Sequence, residues 1–209
     1  MRTVRKVLWV IAVILAIYIG VYPVQYLLHD SSFGLLPMKS DLLTSNALWK
    51  MCFYIHLLTG GIALLIGWTQ FSSKLRSKSI KAHRVIGKIY LTSVMISSLT
   101  AIYIGFYATG GIITITGMVL IGCIWFYTTL RGYLLIVKGN LFGHQKMMIY
   151  SYAACFGGVT LRFWLPLSSL ILGDFVRAYN IAAWMSWVPN LIVAYFIVKG
   201  MEQKIRMVS

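Results

Sequence analysis

The stretch LWKMCFYIHLLTGGIALLIGWTQF, residues 48–71, decides the fold. It runs for 24 residues with Lys50 as its sole charged side chain and carries one histidine, His56. At 1.5 Å of rise per residue, a helix of this length exceeds the roughly 30 Å hydrocarbon core of a bilayer. SSKLRSKSIKAHR follows directly, residues 72–84, with Lys74, Arg76, Lys78, Lys81 and Arg84. An apolar run of spanning length before a short cationic run reads as a transmembrane helix and its cytoplasmic connection.

The rest of the 209 residues repeats that pattern. The chain is 59% hydrophobic and 11% charged, with a mean hydropathy of +0.81. A soluble domain of this size could not shield so much apolar surface, whereas lipid accepts it. Six apolar segments are expected as helices at about 7–28, 48–71, 85–107, 112–136, 144–166 and 181–198. They leave no room for a soluble domain, so the fold expected is an all-α integral membrane protein, a six-helix bundle in one membrane domain over 1–209. The first run is long and no small-x-small cleavage site follows it, which makes it an anchor rather than a signal peptide.

Nineteen Lys and Arg against four Asp and Glu give a net charge of +15. Because these cations sit in short connections, they point to topology and to anionic lipid headgroups, not to nucleic acid. The N-terminus, the 72–84 and 137–146 connections and the C-terminus are Lys/Arg-rich, while the alternate connections hold Asp30, Asp41 and Asp174. That bias puts both termini in the cytoplasm, in a bacterial inner membrane. Trp49, Tyr107 and Trp187 near one boundary, and Tyr90 and Tyr133 near the other, suit an aromatic belt. Cys52, Cys123 and Cys155 lie in apolar segments and read as buried small hydrophobes.

Polar residues inside spans face the bundle interior and mark function. On helix 2, His56, Gly60, Ala63, Gly67 and Gln70 share one face; on helix 3, His83, Gly87, Tyr90, Val94, Ser97, Ala101 and Gly105; on helix 5, His144, Met148, Ser151, Cys155, Gly158 and Arg162. His83 and His144 fall at one depth at the cytoplasmic end, His56 and Arg162 near the outer end. One reading is helix packing, with small residues letting helices approach and histidines snorkelling to the interface.

The sharper reading is haem b. Two neutral imidazoles on facing helices at one depth can ligate a six-coordinate iron, small residues admit the macrocycle, and cations meet the propionates. His83 and His144 form such a pair, with Lys81, Arg84 or Lys146 beside the propionates. His56 would ligate a second haem, with Arg162 as propionate partner; its own second ligand is missing, Met118 and His29 being the candidates. The cofactor-binding set is therefore His83, His144, His56, Arg162, Gln70 and Arg84, with the three imidazoles as iron ligands. The function expected is electron transfer or quinol-linked redox chemistry, with a quinone or redox protein as partner. The alternative is a transporter of protons or small molecules, or an assembly factor, with a polar cavity at His56, Gln70 and Arg162. No broken-helix pair or inverted repeat is visible to favour it.

Four stretches carry a family resemblance: H-x3-G-x6-G-x2-Q (His56, Gly60, Gly67, Gln70), HRVIGKIY (His83 to Tyr90), HQKMMIYSY (His144 to Tyr152) and LRFWLP (Leu161 to Pro166). In this order and spacing they resemble the bacterial multi-pass membrane family known as domain of unknown function 2306. The resemblance covers about residues 50 to 170 and implies a membrane fold and these positions. A looser similarity is to two-haem membrane cytochromes, whose His pairs join the second helix with the fourth and the third with the fifth. That similarity implies the His83–His144 pairing and half of a pairing at His56, helix 4 having no histidine.

Overall fold

The computed structural model describes residues 2–28, 34 and 36–207. His29 and Asp30 lie outside the described residues. Eleven α-helices follow in chain order among the described residues: α1 (Arg2–Val21), α2 (Pro23–Leu28), α3 (Asp41–Thr44), α4 (Ala47–Gly67), α5 (Ser73–Lys78), α6 (Ile80–Gly105), α7 (Ile112–Val137), α8 (Leu141–Cys155), α9 (Gly157–Leu172), α10 (Phe175–Met185) and α11 (Val188–Arg206). They build six spans long and apolar enough to cross a membrane: Lys6–Tyr26, Ala47–Phe71, Ile80–Gly105, Ile112–Val137, Leu141–Leu172 and Phe175–Arg206. No more than 33% of any span's most apolar window is buried. The remainder presents Leu, Ile, Val and Phe outward, which only a lipid environment accommodates.

The chain packs as two compact units, Met1–Ile104 and Gly105–Ser209. In the first, α1 crosses α4 where two glycines meet. A Cβ on Gly61 would lie 2.6 Å from Gly20 O and 3.0 Å from Pro23 Cγ, so only hydrogen permits this approach. The connection before α4 folds onto the bundle: Leu36 joins Tyr26, Trp49 and Phe53 in a buried cluster, with Trp49 stacked on Phe53 at 5.2 Å. After α4 the 72–84 stretch is ordered rather than a loop. Ser72 caps α5 by accepting from Leu75 N, and Ser79 Oγ accepts from Ala82 N. Helix 3 thus starts at Ile80, more than a turn before the expected boundary, and takes His83 and Arg84 into its first turns.

The second unit is built on the α7–α8 and α9–α10 pairs. Gly132 lets α8 close on α7, since a Cβ there would meet Met148 Sδ at 2.9 Å. Asn140 caps α8 by accepting from Gly143 N at 2.7 Å, which starts helix 5 at Leu141, before His144. The expected ends of helices 5 and 6 are corrected too. Pro166 lies inside α9, not at its end, and helix 6 begins at Phe175, where Asp174 accepts from Arg177 N.

Both final spans are 32 residues long and both are interrupted. Helix 5 breaks between Cys155 and Gly157, helix 6 between Met185 and Val188. Each interruption is short, Phe156 in helix 5 and Ser186–Trp187 in helix 6, and i→i−4 bonds run across it, among them Thr160 N to Phe156 O and Leu191 N to Trp187 O. The aromatic belt needs correction as well: Trp49, Tyr90 and Trp187 are 2%, 1% and 6% exposed and belong to the core, whereas Tyr107 and Tyr133 face outward. Of the cysteines, Cys155 is buried and Cys123 exposed.

Candidate functional site

In the first unit the polar interior centres on His56 and Ser97. His56 Nδ1 lies 3.0 Å from both Ser97 O and Ser97 Oγ, and Ser97 Oγ donates to His56 O at 3.0 Å. A carbonyl only accepts, so the contact with Ser97 O requires the proton on Nδ1. In the neutral ring that leaves Nε2 with its lone pair. Ser97 is fully buried beside Val94, one turn from Tyr90, which bears out the inward face read on helix 3. On helix 2 the inward stripe holds at Ala63 and Gly67, while the closest approach falls at Gly61 rather than Gly60.

At the other end of that unit, Gln70 lies in a 3-10 turn, Trp68–Phe71, that closes helix 2. Arg76 Nη1 donates to Gln70 O at 2.9 Å. The Gln70 side chain lies over Gly87, where a Cβ would stand 3.1 Å from Oε1. His83, one turn before Gly87, is half-buried, and Arg84 is exposed. The two thereby separate as the stripe requires, one toward the interior and the other away from it.

The second unit holds an equivalent imidazole. His144 Nδ1 is 2.9 Å from Gly132 O, so it too donates its Nδ1 proton to a backbone carbonyl of a neighbouring helix. Two turns on, Thr129 and Ser151 share a buried hydrogen bond of 2.6 Å between α7 and α8. Met118, the sulfur considered for a second ligand, is half-buried on α7.

Beyond Ser151 the two helix breaks face each other. Asn190 Nδ2 donates to Ser186 O at 2.9 Å, to Thr160 Oγ1 at 3.0 Å and to Ala153 O at 3.4 Å. Thr160 Oγ1 donates to Ser186 O. Irregular backbone at membrane depth survives only where its polar groups are satisfied inside the protein, and these two side chains do that. Pro189 explains the break in helix 6, since it has no N–H to offer the preceding turn. The break in helix 5 falls at Phe156, just before Gly157, whose Cβ position stands 3.5 Å from Ser186 O. The break divides the expected stripe: Ser151 and Cys155 are buried on α8, while Gly158 and Arg162 belong to α9. Arg162 turns back onto its own helix, Nη1 donating to Gly158 O at 2.8 Å.

Residues 53–198 match the family described as predicted membrane protein DUF2306. The chain belongs to that family. The match takes in all three span-embedded histidines, Gln70, Arg84 and Arg162, so every candidate site residue lies within the DUF2306 region. It also takes in both helix breaks and ends at Val198, short of Lys199 and Glu202. No curated protein and no solved structure matches the chain.

Asn190, Thr160 and Ser186 escaped the reading of polar stripes. The signal available was the run WVPN, residues 187–190: a proline inside an apolar segment with an amide beside it. Trp184, whose Nε1 donates to Ile113 O at 3.0 Å, and Asn180, which accepts from Thr114 Oγ1 at 2.5 Å, tie α10 to α7 and carried no comparable signal.

Proposed function

We propose that the chain is a membrane-embedded b-type haem protein of the cell membrane, with both termini cytoplasmic, acting in electron transfer or quinol-linked redox chemistry. The observation that carries this reading is the shared state of two imidazoles. His56 and His144 each give the Nδ1 proton to a backbone carbonyl of a neighbouring helix and keep Nε2 as a lone pair. An imidazole that ligates a metal almost always donates its other ring N–H to such a partner, which fixes the tautomer and strengthens the ligand. Ser97 and Gly132, the residues that accept, are both buried, so the carbonyls that orient the rings are shielded from water. His83 is the third candidate ligand; Arg84 and Arg162 are candidates for the propionates, and Gln70 completes the set.

When bound, haem would supply one-electron redox chemistry. The chain's own residues would orient the ligands and exclude water. The test is a reduced-minus-oxidised visible spectrum of detergent-purified protein expressed with ample haem. Sharp haem bands, lost in His144→Ala or His56→Ala, are expected. A featureless spectrum from the wild type would end the proposal.

A second reading, a carrier of protons or small anions through a polar interior, is favoured by a different observation. Paired interruptions in helices 5 and 6 are the kind of backbone that lines binding sites in transporters. Proton or anion flux into sealed vesicles, abolished by Asn190→Ala or Arg162→Ala, would support it. Flux that is equal with and without the protein would dismiss it.

A further inference from the structure

We propose that the cleft between α8 and α11 binds a phosphate-bearing ligand, either the headgroup of an acidic phospholipid or a soluble phosphate ester. The cleft has a volume of about 420 Å³. That lies within the roughly 300–1,000 Å³ typical of small-molecule sites. Its walls carry three cations, Lys146, Lys199 and Arg206, against one carboxylate, Glu202. The imbalance of two positive charges matches a phosphate monoester, which carries roughly two negative charges at neutral pH. Tyr150 and Tyr195 add two phenolic groups able to donate to phosphate oxygens.

The sequence pattern builds this face deliberately. Lys199, Glu202 and Arg206 recur at helical spacing on α11, and Lys146 and Tyr150 stand one turn apart on α8. The ammonium groups are held in place. Lys146 Nζ is 2.7 Å from Glu202 Oε1 and 5.4 Å from the centre of the Phe142 ring. Lys199 Nζ lies 5.9 Å from the centre of the Tyr195 ring. Charges positioned in advance lose little freedom on binding, and the Arg206 guanidinium offers the fork that phosphate takes through two bonds. The cleft occupies the end of the unit where helix 5 starts and helix 6 finishes, the level at which a span leaves the hydrocarbon for the headgroups. It uses none of the histidines and shares with the haem reading only Lys146, one of the cations considered for the propionates.

Glu202 gives the proposal a signed test. It positions Lys146 but repels an incoming anion, so Glu202→Gln, which keeps an oxygen for Lys146, is expected to tighten binding. The full chain is purified in detergent, stripped of lipid, and offered two probes. One is inorganic phosphate, followed by thermal shift. The other is phosphatidylglycerol against phosphatidylcholine, followed by native mass spectrometry. Lys199→Gln and Arg206→Gln should each weaken binding about fivefold, the effect of one basic residue near an anionic surface. Lys74→Gln with Lys78→Gln, outside the cleft, should leave it unchanged. Selective retention of phosphatidylglycerol with negligible phosphate binding identifies a lipid site; saturable phosphate binding without lipid selectivity identifies a soluble ester. The proposal is overturned if neither probe binds selectively, if the cleft variants match the Lys74/Lys78 control, or if Glu202→Gln weakens binding.

Discussion

Replacing Asn190 by alanine removes the side chain that bridges both helix breaks, and the size of the loss follows from its contacts. Asn190 Nδ2 serves Ser186 O at 2.9 Å, Thr160 Oγ1 at 3.0 Å and Ala153 O at 3.4 Å. Ser186 O keeps a donor in Thr160, but Ala153 O loses the one that Asn190 supplies. Hydrogen bonds between membrane helices average about 0.6 kcal/mol, and leaving a buried acceptor unmet costs about 1–3 kcal/mol. A net destabilisation of about 1–2 kcal/mol is therefore expected. Asn190→Asp should be worse than alanine. It sets a carboxylate oxygen where an N–H₂ now faces two carbonyls, replacing attraction with repulsion at membrane depth. The assay is reversible unfolding in mixed micelles, followed by tryptophan fluorescence. Trp184 and Trp187, with ring centres 5.4 Å apart, flank the break and report on it. If Asn190→Ala changed stability by less than about 0.3 kcal/mol, or Asn190→Asp were tolerated as well as alanine, the claim that this amide holds the breaks together would be wrong.

The same unfolding assay separates two glycines by sign. Gly61→Ala brings a methyl within 2.6 Å of Gly20 O, a backbone atom that cannot swing aside, so α1 must move away at a cost of about 1–3 kcal/mol. Gly200→Ala meets nothing within 4 Å and should stabilise α11 by up to about 1 kcal/mol through helix propensity alone. Lys39, in the connection between the first two spans, has its pKa lowered by burial from 10.5 to about 8. The unfolded chain then holds a proton between pH 8 and 10.5 that the folded chain has released, so this residue makes stability rise with pH across that window. Lys39→Met should flatten the rise; parallel melting curves for both proteins from pH 8 to 10 would contradict the assignment.

What the sequence reveals and what it hides divide along a physical line. Spans are set by local hydropathy, so six apolar runs were enough to place them, and the inward face of helix 3 follows from spacing alone at Tyr90, Val94 and Ser97. Pro166 misled because proline usually ends a helix in water. In lipid the helix continues, since no water is there to take up the backbone groups that ending it would release. The break at Phe156 has no local cause strong enough to read, because the glycines that follow it are tolerated in membrane helices; Asn190, far along the chain, bonds across it. Trp49 and Trp187 looked like boundary residues because hydropathy cannot tell an indole facing headgroups from one packed inward. The stripes containing His56 and Ser97 were legible one helix at a time, but their meeting depends on the register between two helices, which no single-helix period contains.

That meeting allows the two roles of the histidines to be separated. A histidine used only to tie helices needs one nitrogen, and serine or threonine reaches a carbonyl as well. The second imidazole nitrogen has no part in such a tie. A ligand needs both nitrogens, Nδ1 to orient the ring and Nε2 to bind. Asparagine distinguishes these cases, because its amide nitrogen stands the same number of bonds from the backbone as Nδ1 and nothing replaces Nε2. His56→Asn and His144→Asn should keep the bonds to Ser97 O and Gly132 O, and with them most of the stability that alanine loses, a difference of about 1 kcal/mol in micellar unfolding. If the imidazoles are ligands, the same asparagine variants should lose haem as fully as alanine. Asparagine variants that retain the wild-type spectrum would show that these rings tie helices together and that iron is held elsewhere.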